Sequence, residues 1–429
     1  MRLLIKNARL IDPANKLDKH GDLCIAEGKI ISIVEPTKDF SADRIIDADG
    51  KIVCPGLVDL CARMREPGQV HKATIASESY AAASSGITSI CCPPDTRPVV
   101  DTAAVAELIQ QRAESANMLR IFPLGALTHG LQGERLAEMM ALKRAGCVGV
   151  SNAYTDITNT DVLRHALEYA DSCKMPVFIQ AENHYLGASG NAHEGAISSR
   201  LGLSPIPETA ETIAVSQALL LIEQIGGRVH FCRLSSARSI ALIKEAKAAG
   251  LPVTADVGIC HLHLTEMDVD SYNVNCHLRP PLRSQRDKEA LCQGIVTGDI
   301  DAICSDHQPH DADAKASPFG ETEAGASSIE LLLPLALDLV NKKIISLGEA
   351  IACLTSKPAA ILGLDCGTLS PGKTADLAII DPEQHFSVDI NQLKSAGKNT
   401  PFNGWELTGL VTHTYFKGQS VFERKVQKL

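Results

Sequence analysis

The chain has 429 residues, 45% of them hydrophobic, with 41 Lys plus Arg against 51 Asp plus Glu and a net charge of −10. That length supports a large core and more than one domain. The acidic balance argues against a general binder of nucleic acid or membrane surfaces. No apolar run of about 18 or more residues occurs, so no membrane-spanning helix is expected. The start "MRLLIKNARLIDP" is interrupted at once by charge and Asn, unlike the apolar core of a signal peptide, and a cytoplasmic location is expected. The 14 cysteines include no C-x-x-C pair and read as reduced, mostly buried thiols rather than a structural zinc site.

In chain order, the first fifty or so residues read as short strands: "LLIKNARLID", "GDLCIAEGKIISIVE" and "RIIDADGKIVCPG", punctuated by Gly and Asp. The middle alternates helical patterns with short apolar runs. "ATIASESYAAASSGIT" predicts a helix closed at Gly86, followed by the strand "SICC". "DVLRHALEYADSCK" leads to "MPVFIQAEN", and "ETAETIAVSQALLLIEQIGGR" to "VHFCRLS". "SARSIALIKEAKAAG" leads to "LPVTADVGI", and "QRDKEALCQGIVTGD" to "IDAICSDHQPH". The end returns to strands in "GKTADLAIIDP" and "LTGLVTHTYFKGQSVFE". The repeated β-α unit predicts a (β/α)8 barrel over residues 55–364. A small β-rich domain is expected from 1–54 and 365–429 together.

In such a barrel the chemistry gathers at the C-terminal ends of the strands. The expected ends run from Asp59 to Arg65, Pro94 to Arg97, Val150 to Tyr154, Gln180 to Glu182, Arg233 to Ser235, Asp256 to His263, and Asp306 to His310. "SDHQPH" places Asp306 at a strand end with His307 and His310 in the following loop. That is a metal site, an acid–base pair, or a carboxylate capping a loop with two polar histidines.

The stretches "PGLVDL…REPG", "PPDTRPVVD", "HEGAISSRLGL", "PPLRSQRDKEAL", "IDAICSDHQPH", "SPFGETEAGASSIELLLPLAL" and "GTLSPGKTADLAIIDP" together resemble the dihydroorotases of the amidohydrolase superfamily, over nearly the whole chain. The resemblance implies a metal-dependent barrel that interconverts carbamoyl-aspartate and dihydroorotate, with zinc-held hydroxide as nucleophile and a strand-end Asp as proton shuttle. Here the metal positions have changed. Cys61 and Arg63 stand for the histidines of D-x-H-x-H. Asn152, followed by Ala153, stands for the bridging acidic ligand. Gln180 and Arg233 stand for the two remaining histidines. Asp306 alone persists, a vestigial general acid/base. A guanidinium has no lone pair to give and stays charged, so no zinc and little or no dihydroorotase activity are expected. Arg63 or Arg233 is expected in the vacated space, paired with Asp306 or Glu182.

Among the substrate positions, Arg65 and His310 match residues that hold the substrate carboxylate, or else form a structural clamp. Asp95 and Arg279 stand where the family has Asn, so an anionic substrate meets like charge at Asp95. A rebuilt metal site remains open as an alternative, from Cys260, His261 and His263 of "CHLH" with Asp306, His307 and His310. It requires an extended segment that puts His261 and His263 on one face. "RLSSARS" and "CCPPDTRPV" resemble the inactive subgroup that accompanies aspartate transcarbamoylase. That implies a non-catalytic chain, homodimeric within a larger hetero-oligomer with the transcarbamoylase catalytic chain, or else an active zinc dihydroorotase with an altered metal site, or a sensor of an anionic pyrimidine intermediate through Arg65 and His310.

Overall fold

The computed structural model describes residues 2–36, 40–187 and 189–424. Its centre is a closed barrel of eight parallel strands. They are Leu57–Asp59, Ile87–Cys92, Arg120–Pro123 continuing into Gly125–Ala126, Val150–Ser151, Val177–Gln180, Val229–Cys232, Val253–Gly258 and Ala302–Cys304. Most of these runs are buried along their full length, as parallel strands covered on both faces require. The ring closes between the last strand and the first. Ser305 N donates to Asp59 Oδ1 at 2.9 Å, His307 N to the Cys61 carbonyl at 3.3 Å, and Arg63 N to the His307 carbonyl at 2.9 Å. Inside the barrel, Val58, Leu60, Cys61, Cys91, Phe178, Cys232 and Cys304 pack together.

The helices between strands start where the sequence supplies caps. Thr74 caps Ile75–Ser84 and Ser284 caps Gln285–Thr297, each through a capping box. The first ends at Ser84 with Ser85 as cap. Gly86 follows at φ +86°, a left-handed conformation natural to glycine, and turns the chain into the next strand.

The two ends of the chain build one sheet, in the order Gln419–Glu423, Glu406–Phe416, Leu377–Ser387, Ile52–Pro55, Arg2–Asp12, Leu17–Ala26 and Lys29–Val34, with Arg44–Asp47 paired to Arg2–Asp12. The molecule is a (β/α)8 barrel carrying a small β-rich domain. Between the last sheet strands the chain returns to the barrel. Val388 and Phe402 join the barrel core, and Glu330 Oε1 accepts from the backbone of Lys394 and Ser395. Among the described residues no helix is long and apolar enough to cross a membrane. The cysteines are all free, and all but the half-buried Cys366 are buried.

Candidate functional site

The mouth of the barrel is filled by charged side chains from its own strand ends. Arg63, past the first strand, and Arg233, past the sixth, reach one carboxylate. Arg63 Nη1 lies 3.3 Å and Arg233 Nε 3.4 Å from Asp306 Oδ1. The arginine side chains are 5% and 4% exposed and that of Asp306 12%, so this is a buried bridge of three groups. Arg63 Nε also donates to Asp95 Oδ2 at 2.8 Å. Burial pulls the Asp95 carboxyl up, but the Arg63 guanidinium outweighs it and holds the group below its ordinary range. Asp95 is therefore already neutralised rather than a free charge facing the cavity.

Cys61 lies in the same nest. Arg233 Nη1 is 3.0 Å from its sulfur, and the thiol lies 3.5 Å from Asp306 Oδ1. Burial pushes the Cys61 thiol well up, and Arg233 only partly opposes it, so the sulfur is a neutral thiol rather than a metal-ready thiolate. Tyr154 roofs the group. The Arg63 and Arg233 guanidiniums sit 4.8 and 5.5 Å from its ring centre, its hydroxyl donates to the Arg279 carbonyl at 2.6 Å, and it accepts from Gln308 Nε2 at 3.1 Å. Gln308 Nε2 also lies 3.3 Å from both Asp306 oxygens.

The other replaced positions have structural partners. Asn152 clamps the fourth strand to the fifth: its Oδ1 accepts from Gln180 N at 2.9 Å and its Nδ2 donates to the Gln180 carbonyl at 3.0 Å. The Gln180 side chain is buried, with an Oε1 that has no hydrogen-bond partner. Glu182 is taken by Arg279, which meets both its carboxylate oxygens, one of them at 2.9 Å. Arg65 is used on all its nitrogens: Nε donates to the Pro309 carbonyl at 2.9 Å, Nη1 to Gln69 Oε1 at 3.2 Å, and Nη2 lies 3.1 Å from His310 Nε2. Burial, then the nearby Arg65, pushes the His310 imidazole down to about 3, so it is neutral.

The "CHLH" segment does not form the alternative metal site. It is a 3-10 turn, Ile259–Leu262, rather than an extended run, so the alternation argument fails there. His261 Nε2 pairs with the Pro280 carbonyl, while His263 pairs with the Leu335 carbonyl and lies 3.5 Å from Asp338. His307 turns away to Glu78, at 2.7 Å, while its Nδ1 accepts from Ser328 N. Among the described residues no three His, Cys, Asp or Glu side chains are placed to hold a metal ion. The donor set does not fit zinc: two cations and a thiol occupy the space, with one carboxylate between them.

The void beside Arg63, Arg65 and Asp95 measures about 10 Å³, room for about one water. Cavities of about 430 and 600 Å³ lie elsewhere, one beside Lys288, Cys292 and Lys342, the other beside Ile213, Leu220 and Arg238. The sequence reading gave no role to Tyr154, Gln308, Lys72 or Glu323. The signal for Tyr154 was its place two residues beyond Asn152 at a strand end, where an aromatic face can cover cations.

Residues 50–239 match the family model described as Dihydro-orotase-like, and residues 339–422 match the Amidohydrolase family model. The dihydroorotase-like protein of Pseudomonas putida is 47% identical over 418 residues, 97% of this chain and 98% of its own. That of Pseudomonas aeruginosa is 46% identical, over 99% of this chain and 100% of its own. The dihydroorotase of Geobacter sp. (strain M21) is 40% identical, over 99% and 100%. Among solved structures, the L-hydantoinase (dihydropyrimidinase) of Arthrobacter aurescens superposes with a TM-score of 0.88 at 27% identity, covering 98% of this chain and 96% of that one. With relatives this similar along its full length, and a barrel and flanking sheet of the same build, the chain belongs to the dihydroorotase-like family of amidohydrolases.

Proposed function

We propose that this chain is a dihydroorotase homologue without dihydroorotase activity, and that it serves cytoplasmic pyrimidine biosynthesis as the non-catalytic structural subunit of aspartate transcarbamoylase. The observation that carries the loss of catalysis is the Arg63–Asp306–Arg233 bridge. Ring opening of a cyclic amide near neutral pH needs a hydroxide. Metal lowers the pKa of water from about 15.7 to about 7, and without it almost no nucleophile forms. Asp306 meanwhile is held by two guanidiniums. Arg65, Asp95, Arg279 and His310, the vestigial substrate positions, each hold a partner within the chain. The small void beside Arg65 and Asp95, about 10 Å³, supports this reading over a sensor of a pyrimidine intermediate.

The partner half rests on "RLSSARS" and "CCPPDTRPV", and on the name dihydroorotase-like carried by the Pseudomonas relatives. Dimers of this chain joining trimers of the transferase would close a dihedral assembly without open surfaces. Size-exclusion chromatography of the co-expressed pair tests it. One co-eluting peak is expected. Two separate peaks at micromolar concentration, with a transferase fully active and stable alone, would end the idea. The second reading is an active zinc dihydroorotase with an altered site, favoured by the name of the 40% identical Geobacter relative. It requires turnover of dihydroorotate at an ordinary enzymatic rate, roughly 1 per second or more.

A further inference from the structure

Beside the closed mouth lies a group of cations that the central bridge does not neutralise. Lys72 and Lys315 both reach Glu323. Lys72 Nζ lies 2.5 Å from Glu323 Oε2 and 3.2 Å from His310 Nδ1. Lys315 Nζ donates to the Glu323 carbonyl at 2.7 Å and to the Val274 carbonyl at 3.0 Å. Arg65 closes the far side of His310. Three basic side chains thus gather around a neutral imidazole and one carboxylate. The other nearby acid, Asp95, is engaged by Arg63.

The imbalance has a physical signature. Burial first, then Arg65 and Lys72 against the opposing Cys276 and Glu323, brings the Lys315 ammonium down to about 8. A half-buried cation short of counter-charge is costly. Arg65 is held in place by the Pro309 carbonyl, Gln69 and the edge of His310. The two ammonium groups can take a ligand, since each carries three donors on a flexible stem. The carboxylate on Lys72 is displaceable, since the Lys72 side chain is 4% exposed and that of Glu323 53%, while Lys315 holds the backbone carbonyl of the same residue.

We propose that Lys72 and Lys315 form a binding site for a small oxyanion, a phosphate or a carboxylate, and that the Glu323 carboxylate is its tethered competitor, resting on Lys72 while no free anion is bound. This stands apart from the assembly reading, since it follows from charge and geometry within one chain. The test is thermal melting of the full chain in inorganic phosphate or malonate, against sodium chloride at equal ionic strength. A rise in Tm of about 2 °C or more is expected with at least one of the two anions. A phosphate-only response identifies a phosphate site, and a malonate-only response a carboxylate site. Glu323→Gln, which keeps the volume and removes the competing charge, is expected to bind the same anion at least tenfold tighter. Lys315→Met is expected to lose the shift. No anion-specific shift in either the wild type or E323Q overturns the proposal. So does an undiminished shift in K315M, or an E323Q affinity no tighter than wild type.

Discussion

Replacing Asp306 with asparagine isolates the bridge. The change keeps the volume and removes the charge between two guanidiniums 3.3 and 3.4 Å away. At an effective dielectric near 20, each contact is worth about 5 kcal/mol gross. Relief of the carboxylate's own desolvation offsets part of this, and breaking a buried pair from one side costs about 3–5 kcal/mol net. The loss should fall unequally. Arg63 keeps Asp95 at 2.8 Å, whereas Arg233 keeps only the Cys61 sulfur and the Tyr154 ring. Arg233 is therefore the stranded cation, and Arg233→Met in the D306N background should recover at least about 2 kcal/mol of the loss. Urea denaturation of wild type, D306N, R233M and the double variant gives a closed cycle. The reasoning is refuted if D306N stays within about 1 kcal/mol of wild type, or if the double variant is no more stable than D306N.

Other outcomes follow from the same geometry. The purified chain should hold no stoichiometric zinc after mild dialysis, because Cys61 is the single plausible donor among the replaced positions; mass-spectrometric metal analysis showing one or two ions per chain contradicts it. Restoring His at positions 61, 63, 180 and 233 with Asp at 152 should give metal binding before activity, since Asp95 and Arg279 still stand at the substrate positions; calorimetric zinc titration beside a dihydroorotate assay separates the two. Asp59, buried under the barrel mouth, is pushed up to about 6 by burial, against the lowering effect of its bonds to Ser305 and Cys61. A raised carboxyl stabilises below its unfolded value near 4 and loses that contribution as pH rises through about 6. Asp59→Asn should therefore gain on wild type between pH 4 and 6, by about 1–3 kcal/mol in all, then hold constant; parallel melts across pH with no divergence dispose of it.

Much of the fold was legible because each unit announces itself locally. A short apolar run such as "ITSICC" has both faces buried, and helices open on Ser or Thr caps such as Thr74 and Ser284. The closure of the sheet from both chain ends was legible in the strand-like style of the termini. The return of residues 388–405 to the barrel was not, since that segment has little periodicity and is held by single contacts such as Asn399 with the Gln308 and Gly325 carbonyls. At the site, the identities of the replacements were readable, and so was the pairing of Arg63 and Arg233 with Asp306, whereas the clamp made by Asn152 was not. Asn152 clamps the backbone of Gln180, which no local pattern encodes. "CHLH" failed for a specific reason: two-residue spacing pairs side chains only on an extended chain, and this segment turns as a 3-10 helix.

The backbone of the mouth holds several left-handed residues that are not glycine. Arg65, Ala153, Arg233 and Asp306 all hold positive φ, at 59°, 48°, 51° and 45°. A left-handed residue other than glycine costs about 1–2 kcal/mol, less where Asp or Asn bonds locally. Such strain persists only where its surroundings over-determine it. Here they do. Arg63 N donates to the His307 carbonyl across the closing seam, and Leu234 N to the Asp256 carbonyl between the sixth and seventh strands, so hydrogen bonds between strand ends fix these turns. A ligand side chain can therefore change without moving the chain that carries it, provided the new set is neutral. Arg63 and Arg233 against Asp306 and Asp95 meet that condition, as does Arg279 against Glu182. The shape of this mouth rests on a hydrogen-bonded seam and a balanced set of charges, Arg63 and Arg233 against Asp306 and Asp95.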